Sequence, residues 1–185
     1  MKMRKYVASL TACFLLGSAM LQAQVSATAA KLEKDRLRLP NGWHLSPAGR
    51  SIPLGDLPLN LVVSASGKYM AATNNGQSIQ SIQLIDPVKE RELDKVVIPK
   101  SWYGLCFSAD EKSLYASGGN DNIIWQYAIR KNKLVLKDSI VLGLKWPEKI
   151  SQANIAIHEK RNEMYVVNKE NKRFYVIEKK KKKIK

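Results

Sequence analysis

The sequence predicts an all-β chain, an incomplete β-propeller of about three four-stranded blades preceded by a signal peptide. Three observations carry this prediction. One pattern of short apolar runs and polar turns returns after 44 residues and again after 50. Each unit divides into three or four runs of strand length with Gly, Asn and Asp between them, which is how a propeller blade reads in sequence. The first 23 residues follow the basic, apolar, small-residue order of an export signal.

The N-terminus comes first. Lys2, Arg4 and Lys5 form the basic region, Val7 to Leu16 the apolar stretch, and Leu21-Gln22-Ala23 the cleavage region. A membrane-spanning helix needs about 20 apolar residues, and Gly17, Ser18 and Gln22 interrupt this one. No transmembrane helix is expected, and the mature chain is expected in the periplasm or outside the cell. Leu10-Thr11-Ala12-Cys13 also reads as a lipoprotein box, with Cys13 as lipid anchor. The apolar run, however, continues through Phe14, Leu15 and Leu16, so a cut before Cys13 would fall inside it. Cleavage after Ala23 leaves Cys106 as the one cysteine, so the fold holds without an internal disulfide. Between Leu105 and Phe107, that thiol reads as a small buried hydrophobe rather than a nucleophile.

Residues 24–40 read as a linker, 41–178 as a partial propeller and 179–185 as a polylysine tail. The first strand-turn-strand is Leu61 to Asn74, the second Leu105 to Gly118 and the third Ile155 to Asn168. Third runs follow at Ser81 to Asp86, Ile123 to Ile129 and Arg173 to Glu178. Fourth runs close the first two units, at Arg91 to Ile98 and Leu134 to Leu142. Ser51-Ile52-Pro53-Leu54-Gly55 resembles Ser139-Ile140-Val141-Leu142-Gly143, 88 residues later, and so reads as a fourth strand without a blade of its own. The third unit is expected to stop after its third strand, at Glu178. Such a stack would expose one blade face and an unpaired strand edge.

The charge is +15, which invites a nucleic-acid reading. Nine of the basic residues lie at the two ends, and the body holds 22 basic against 16 acidic residues, a surplus of 6. A phosphate-binding patch sits on the fold and interleaves with aromatics, so no nucleic-acid partner is expected. Lys179 to Lys183 follow directly on Phe174-Tyr175-Val176-Ile177. The run reads either as a solvated basic tail or as the product of a frame slip on adenines that ended the protein early.

The repeat tetrads Ala71-Ala72-Thr73-Asn74, Tyr115-Ala116-Ser117-Gly118 and Tyr165-Val166-Val167-Asn168 resemble the Tyr-Val-Thr-Asn signature of YVTN-type propellers. Ser108-Ala109-Asp110-Glu111-Lys112 resembles that family's Ser-Pro-Asp-Gly-Lys turn, with Glu111 in place of the glycine. Leu39-Pro40-Asn41-Gly42-Trp43, Ser46-Pro47-Ala48-Gly49-Arg50 and Gly118-Gly119-Asn120-Asp121-Asn122 are similar to the N-terminal part of secreted bacterial proteins that join such a propeller to an alkaline-phosphatase-like phosphoesterase domain. The resemblance implies a C-terminal phosphoesterase domain in the full-length relatives. It carries no catalytic residue onto this chain, because the family's metal ligands and nucleophile belong to that domain.

Blade topology places the fourth-to-first and second-to-third connections on one face. The first set holds Asp56 and Asn60, Trp102 and Tyr103, and Trp146 and Glu148; the second holds Asn74 and Asn75, then Asn120, Asp121 and Asn122. Aromatics beside carboxylates and amides on rim loops suit a protein, a peptide or a small polar ligand. The same residue types also serve turns and inter-blade packing. His44 and His158 lack partners at metal-ligand spacing, and the nucleophile-elbow, phosphate-loop and His-Glu-x-x-His motifs are absent. No cofactor, metal or catalytic residue is therefore assigned. The expected function is a non-catalytic binding or scaffold module. The alternatives are a lactonase- or hydrolase-like enzyme acting at a central channel, and a truncated product without function.

Overall fold

The computed structural model describes Lys34 and residues 36–46, 49–145 and 147–185. The export signal, its cut after Ala23 and Cys13 all lie outside the described residues, as does Trp146. The chain divides into two units, Met1–Ser51 and Ile52–Lys185. In the first, β1 (Leu37–Arg38) pairs antiparallel with β2 (His44–Leu45). The turn between them is closed by Leu39 N–H to Trp43 O at 2.7 Å and by Trp43 N–H to the Asn41 side chain.

The second unit is three antiparallel four-stranded sheets in sequence order. Blade A is β3 (Pro58–Val63), β4 (Met70–Asn74), β5 (Ser81–Asp86) and β6 (Arg91–Val97). Blade B is β7 (Leu105–Phe107), β8 (Ser113–Ser117), β9 (Ile123–Arg130) and β10 (Lys133–Val141). Blade C is β11 (Gln152–His158), β12 (Glu163–Asn168), β13 (Phe174–Glu178) and β14 (Lys183–Ile184). The chain is all-β and propeller-like.

Burial follows strand position within a blade. Burial is deepest in the inner strands of blades A and B: every residue of β8, and every residue of β5 but its last, is buried, whereas β12 and β13 of blade C keep exposed positions. The outer strands β6 and β10 alternate with exposed positions. Apolar residues on a two-sided buried strand serve two cores at once. Ala71, Ile82 and Leu84 of blade A meet Leu105, Leu114, Ala116, Tyr127 and Leu134 of blade B. From blade B, Tyr115, Ile124 and Ile140 meet Ile155, Met164, Val166 and Ile177 of blade C. The odd and even residues of β8 therefore bind different neighbours, as the two-residue period of a strand requires.

The first hairpins share one turn length. Gly67 takes the left-handed position of the first (φ +73), and Glu111 takes it in the second (φ +55). A side chain at that φ is strained where glycine is not. The glutamate is put to use: its carboxylate accepts from the Ser66 hydroxyl at 2.7 Å and from the Ser66 N–H, tying the turn of blade B to that of blade A.

Two expectations differ from the structure. Residues 51–55 form no strand. Instead Gly55 N–H donates to Asn74 Oδ1 (3.0 Å) and Gln83 Oε1 (2.8 Å), so side chains of blade A rather than a strand ladder hold this stretch. The third unit does not stop at Glu178. The lysine-rich end turns at Lys182 (φ +55) and returns as β14, pairing Ile184 with Ile177 and Lys183 with Glu178. Residues 179–185 thus leave the solvated tail. Lys179 pairs with Glu159, Lys182 with Asp138 of blade B, and Lys185 with Glu163. With Glu178 beside Lys181 as well, four carboxylates offset the mutual repulsion of the run. Phe174 and Val167 remain exposed on the outward face of blade C.

Candidate functional site

Both sets of rim connections lie at one end of the blades and enclose a cleft of about 490 Å³. Its walls come from five loops. Asn75, Gly76 and Gln80 belong to the β4–β5 loop, Lys100, Ser101 and Trp102 to β6–β7, Gly119 and Asn120 to β8–β9, Lys149 and Ser151 to β10–β11, and Lys169 and Glu170 to β12–β13.

A repeated amide-to-serine bond builds the frame. Ser101 N–H donates to Gln80 Oε1 at 2.6 Å, so a second-to-third loop of blade A holds the segment that leads into blade B. Fifty residues on, Ser151 N–H donates to Asn122 Oδ1 at 2.8 Å and its hydroxyl to Asn120 Oδ1 at 3.0 Å, which repeats the arrangement between blades B and C. Asn122 is fully buried, sits at φ +53, and donates through Nδ2 to Leu144 O (2.5 Å) and Glu148 O (2.9 Å). In the corresponding loop of blade C, Asn171 accepts from Arg173 N–H and donates to the Tyr175 hydroxyl.

Of the residues expected at the site, Asn75, Trp102 and Asn120 line the cleft. Asp56 lies beside it. Its carboxylate accepts Ser78 N–H at 3.1 Å, and the Ser78 backbone and hydroxyl hold its pKa below the usual carboxylate range. Gly76 passes so close that a Cβ would lie 2.0 Å from the Asp56 carboxyl carbon, which leaves glycine as the residue that fits. Asn60 donates to Tyr103 O at 2.7 Å, linking β3 to the segment before blade B. Asn74 is fully buried and donates to Ser81 and Gln83, so it organises blade A from within. Asp121 ends the short 3-10 turn Gly119–Asp121 and does not line the cleft. Glu148 accepts Leu144 N–H and closes its own loop, next to a shallow depression over Val141–Leu144. Trp146 lies outside the described residues.

Sequence reasoning missed Gln80, Ser101, Ser151 and three lysines, Lys100, Lys149 and Lys169. The signal available for the serines was their 50-residue spacing, equal to the shift between the second and third units. The lysines carry no such signal. Lys169 Nζ lies 5.3 Å from the centre of the Trp102 ring and 3.2 Å from Glu170 Oε1. Ser101 is 3% exposed, and its hydroxyl has no hydrogen-bond partner.

A second depression of about 550 Å³ lies toward the other end of blades B and C, lined by Asp110, Tyr115, Asp138, Glu159, Lys179 and Lys182 among others. Within it Lys179 pairs with Glu159 and Lys182 with Asp138. Burial, with Glu159 and Asp110 nearby, pushes the Tyr115 hydroxyl up to about 12. Burial likewise raises the Cys106 thiol, which keeps it protonated and poorly nucleophilic. Among the described residues, no three His, Cys, Asp or Glu side chains cluster as a metal site. Among them too, no helix is long and apolar enough to cross a membrane.

The chain matches no protein family and no curated protein. Solved structures do match in fold. Hydrazine synthase of Kuenenia stuttgartiensis aligns with a TM-score of 0.58 at 14% identity, over 75% of this chain and 37% of that one. The Cps50 (Swd1) β-propeller domain of Myceliophteria thermophila aligns with a TM-score of 0.55 at 14% identity, over 69% and 42%. Apo AztD from Citrobacter koseri aligns with a TM-score of 0.53 at 17% identity, over 77% and 38%. The chain therefore spans well under half the length of these structures. At such identities the likeness establishes the propeller fold and nothing about chemistry.

Proposed function

We propose that this chain is an exported, non-catalytic binding module whose ligand site is the rim cleft between the three blades. The carrying observation is that five loops from three successive blades converge on one polar cleft. The walls are held by bonds that cross from blade to blade, Gln80 to Ser101 and Asn122 to Ser151. Loops fixed by a rigid scaffold are where binding residues concentrate. The volume is that of a small-molecule site, and glycines, amides and serines make its lining polar.

The finer reading is a YVTN-type propeller segment, derived from a secreted protein that continues into further blades and a phosphoesterase domain. It rests on the repeat tetrads and the Ser-Ala-Asp-Glu-Lys turn, Ser108 to Lys112. Export rests on the N-terminal order from Lys2 to Ala23. N-terminal sequencing of secreted material tests it: a start near Gln24 supports export, and a start at Met1 or a lipidated Cys13 overturns this cleavage. The cleft reading is tested by NMR. A set of small polar compounds is titrated into the isotopically labelled chain, and the backbone amides of Gly76, Ser101 and Gly119 are followed. Saturable shifts at these amides are expected; shifts confined to other surfaces would remove the cleft as the site.

A further inference from the structure

We propose that two copies of this chain join head to tail, the outer face of blade C of one copy against the outer face of blade A of the other, and close a six-bladed ring. The proposal is independent of the reading of the rim cleft.

The ground is the strand register, which repeats from blade to blade. On the side that faces the following blade, blade A pairs Thr73 with Ile82 and blade B pairs Ser117 with Ile124; all four residues are fully buried. The same register in blade C sets Val167 against Phe174, and these are 50% and 60% exposed. Beside them, Tyr165 takes the place that Ala71 and Tyr115 hold in the two interblade cores. Its ring stacks on that of Phe174, with centroids 5.7 Å apart. Blade C thus turns to water the same face that blades A and B bury against a neighbour, with larger apolar side chains on it.

Blade A presents the complementary face. Toward the preceding blade, blade B offers Leu105, paired with Ala116, and Phe107, paired with Leu114; both pack into the core between blades A and B. Ile155 and Ile157 of blade C do the same against blade B. The equivalent residues of blade A are Leu61, paired with Ala72, and Val63, paired with Met70. Leu105 and Ile155 are 3% and 4% exposed, whereas Leu61 and Val63 are 45% and 56% exposed. The stretch through Gly55 bonds to Asn74 and Gln83 on this face and leaves those two residues open. The end faces therefore match each other as the inner faces do, and association would remove their apolar area from water. The occupant is a second copy because each copy carries both halves of the contact. Head-to-tail contacts form rings where the rotation closes. Two copies of three blades bring six, within the usual range of closed propellers, and one copy spans 42% of the Cps50 propeller domain. Closure covers both end faces of both copies, whereas face-to-face pairing through blade C would leave Leu61 and Val63 in water.

Analytical ultracentrifugation and light scattering of the full chain over a dilution series measure the association. The variants are Val167→Glu with Phe174→Glu on blade C, Leu61→Glu with Val63→Glu on blade A, and a control, Val88→Glu, at an exposed apolar position between β5 and β6. Circular dichroism melts show whether each variant folds; where a glutamate pair does not, the milder Phe174→Ser and Leu61→Ser decide. A species of twice the monomer mass is expected for the unaltered chain and for Val88→Glu. Each glutamate pair should leave monomer alone. Each serine variant should weaken the dimer about tenfold or more, because the lost apolar side chain counts at both contacts of the ring. A monomer throughout the series, or growth beyond two copies, would overturn the proposal. So would a dimer that the blade C variants dissociate and the blade A variants do not, which is face-to-face pairing. A dimer that survives all of them would place the contact elsewhere and overturn it too.

Discussion

Replacing Asn122 with alanine should uncouple blades B and C more than any other change of one polar side chain at the rim. The native amide is fully buried and makes three bonds: it accepts Ser151 N–H and donates to Leu144 O and Glu148 O. Ser151 is itself 4% exposed, so its N–H has no route to water once Oδ1 is gone. Orphaning one buried donor costs about 1–3 kcal/mol. The two carbonyls belong to exposed residues, recover water, and add little. Alanine at φ +53 adds about 1–2 kcal/mol of backbone strain. The expected loss is therefore about 2–5 kcal/mol for Asn122→Ala. For Asn122→Gly, which is free of the strain, it is about 1–3 kcal/mol. Urea titrations followed by circular dichroism would measure both, with slopes compared to confirm that the same surface unfolds. Equal midpoints for the alanine and glycine variants would refute the strain argument. A loss under about 0.5 kcal/mol in both would refute the buried amide bond.

In the core, Leu114→Ala should cost about 2–5 kcal/mol, because Leu114 is fully buried between blades A and B; a neutral result in the same urea titration would mean that the blades do not pack there. Lys182 holds the Asp138 carboxyl below its usual range, chiefly through their hydrogen bond. Stability from this pair is present above the unfolded carboxylate pKa and disappears as pH falls through the depressed folded value. Lys182→Ala should move the Asp138 titration upward by NMR, and an unmoved titration would show that the lysine run does not dock on blade B. Tyr115 and Tyr127 are pushed up to about 12, chiefly by burial. The stability tied to their neutral forms is intact below the unfolded value near 10 and is lost as pH rises toward 12. Ultraviolet titration should find them ionising after the exposed tyrosines, and ionisation with the others near pH 10 would contradict their burial.

The strands themselves were readable. Ser81 to Asp86 matches β5 at both ends, and the other third and fourth runs match their strands to within a residue at each end. Their boundaries are written in local chemistry: β-branched and aromatic residues in the runs, turn formers and left-handed positions between them. The two misjudged segments were those whose state depends on distant partners. Ser51 to Gly55 has strand composition, but a strand needs a ladder, and side chains of Asn74 and Gln83 hold Gly55 instead. The lysine run has tail composition, but Glu159, Asp138 and Glu163 supply its counter-charges and Ile177 and Glu178 a pairing edge.

The candidate site divides in the same way. Trp102, Asn75 and Asn120 could be named from blade topology, because connection type alone assigns a loop to the rim. Whether an amide on that rim faces a ligand or the interior could not, and Asn74 and Asn122 prove to be fully buried parts of the frame. By itself the sequence determined the repeat, the blade count and the end of the blades on which the loops gather, since these follow from periods and turns within about 50 residues. Tertiary structure alone decided that Lys100, Lys149 and Lys169 share one cleft, that the buried Ser101 hydroxyl has no partner, and that a lysine-rich end becomes a strand. Charge proximity and burial depend on distance across blades, and residues 20 or 49 positions apart carry no local pattern that records it.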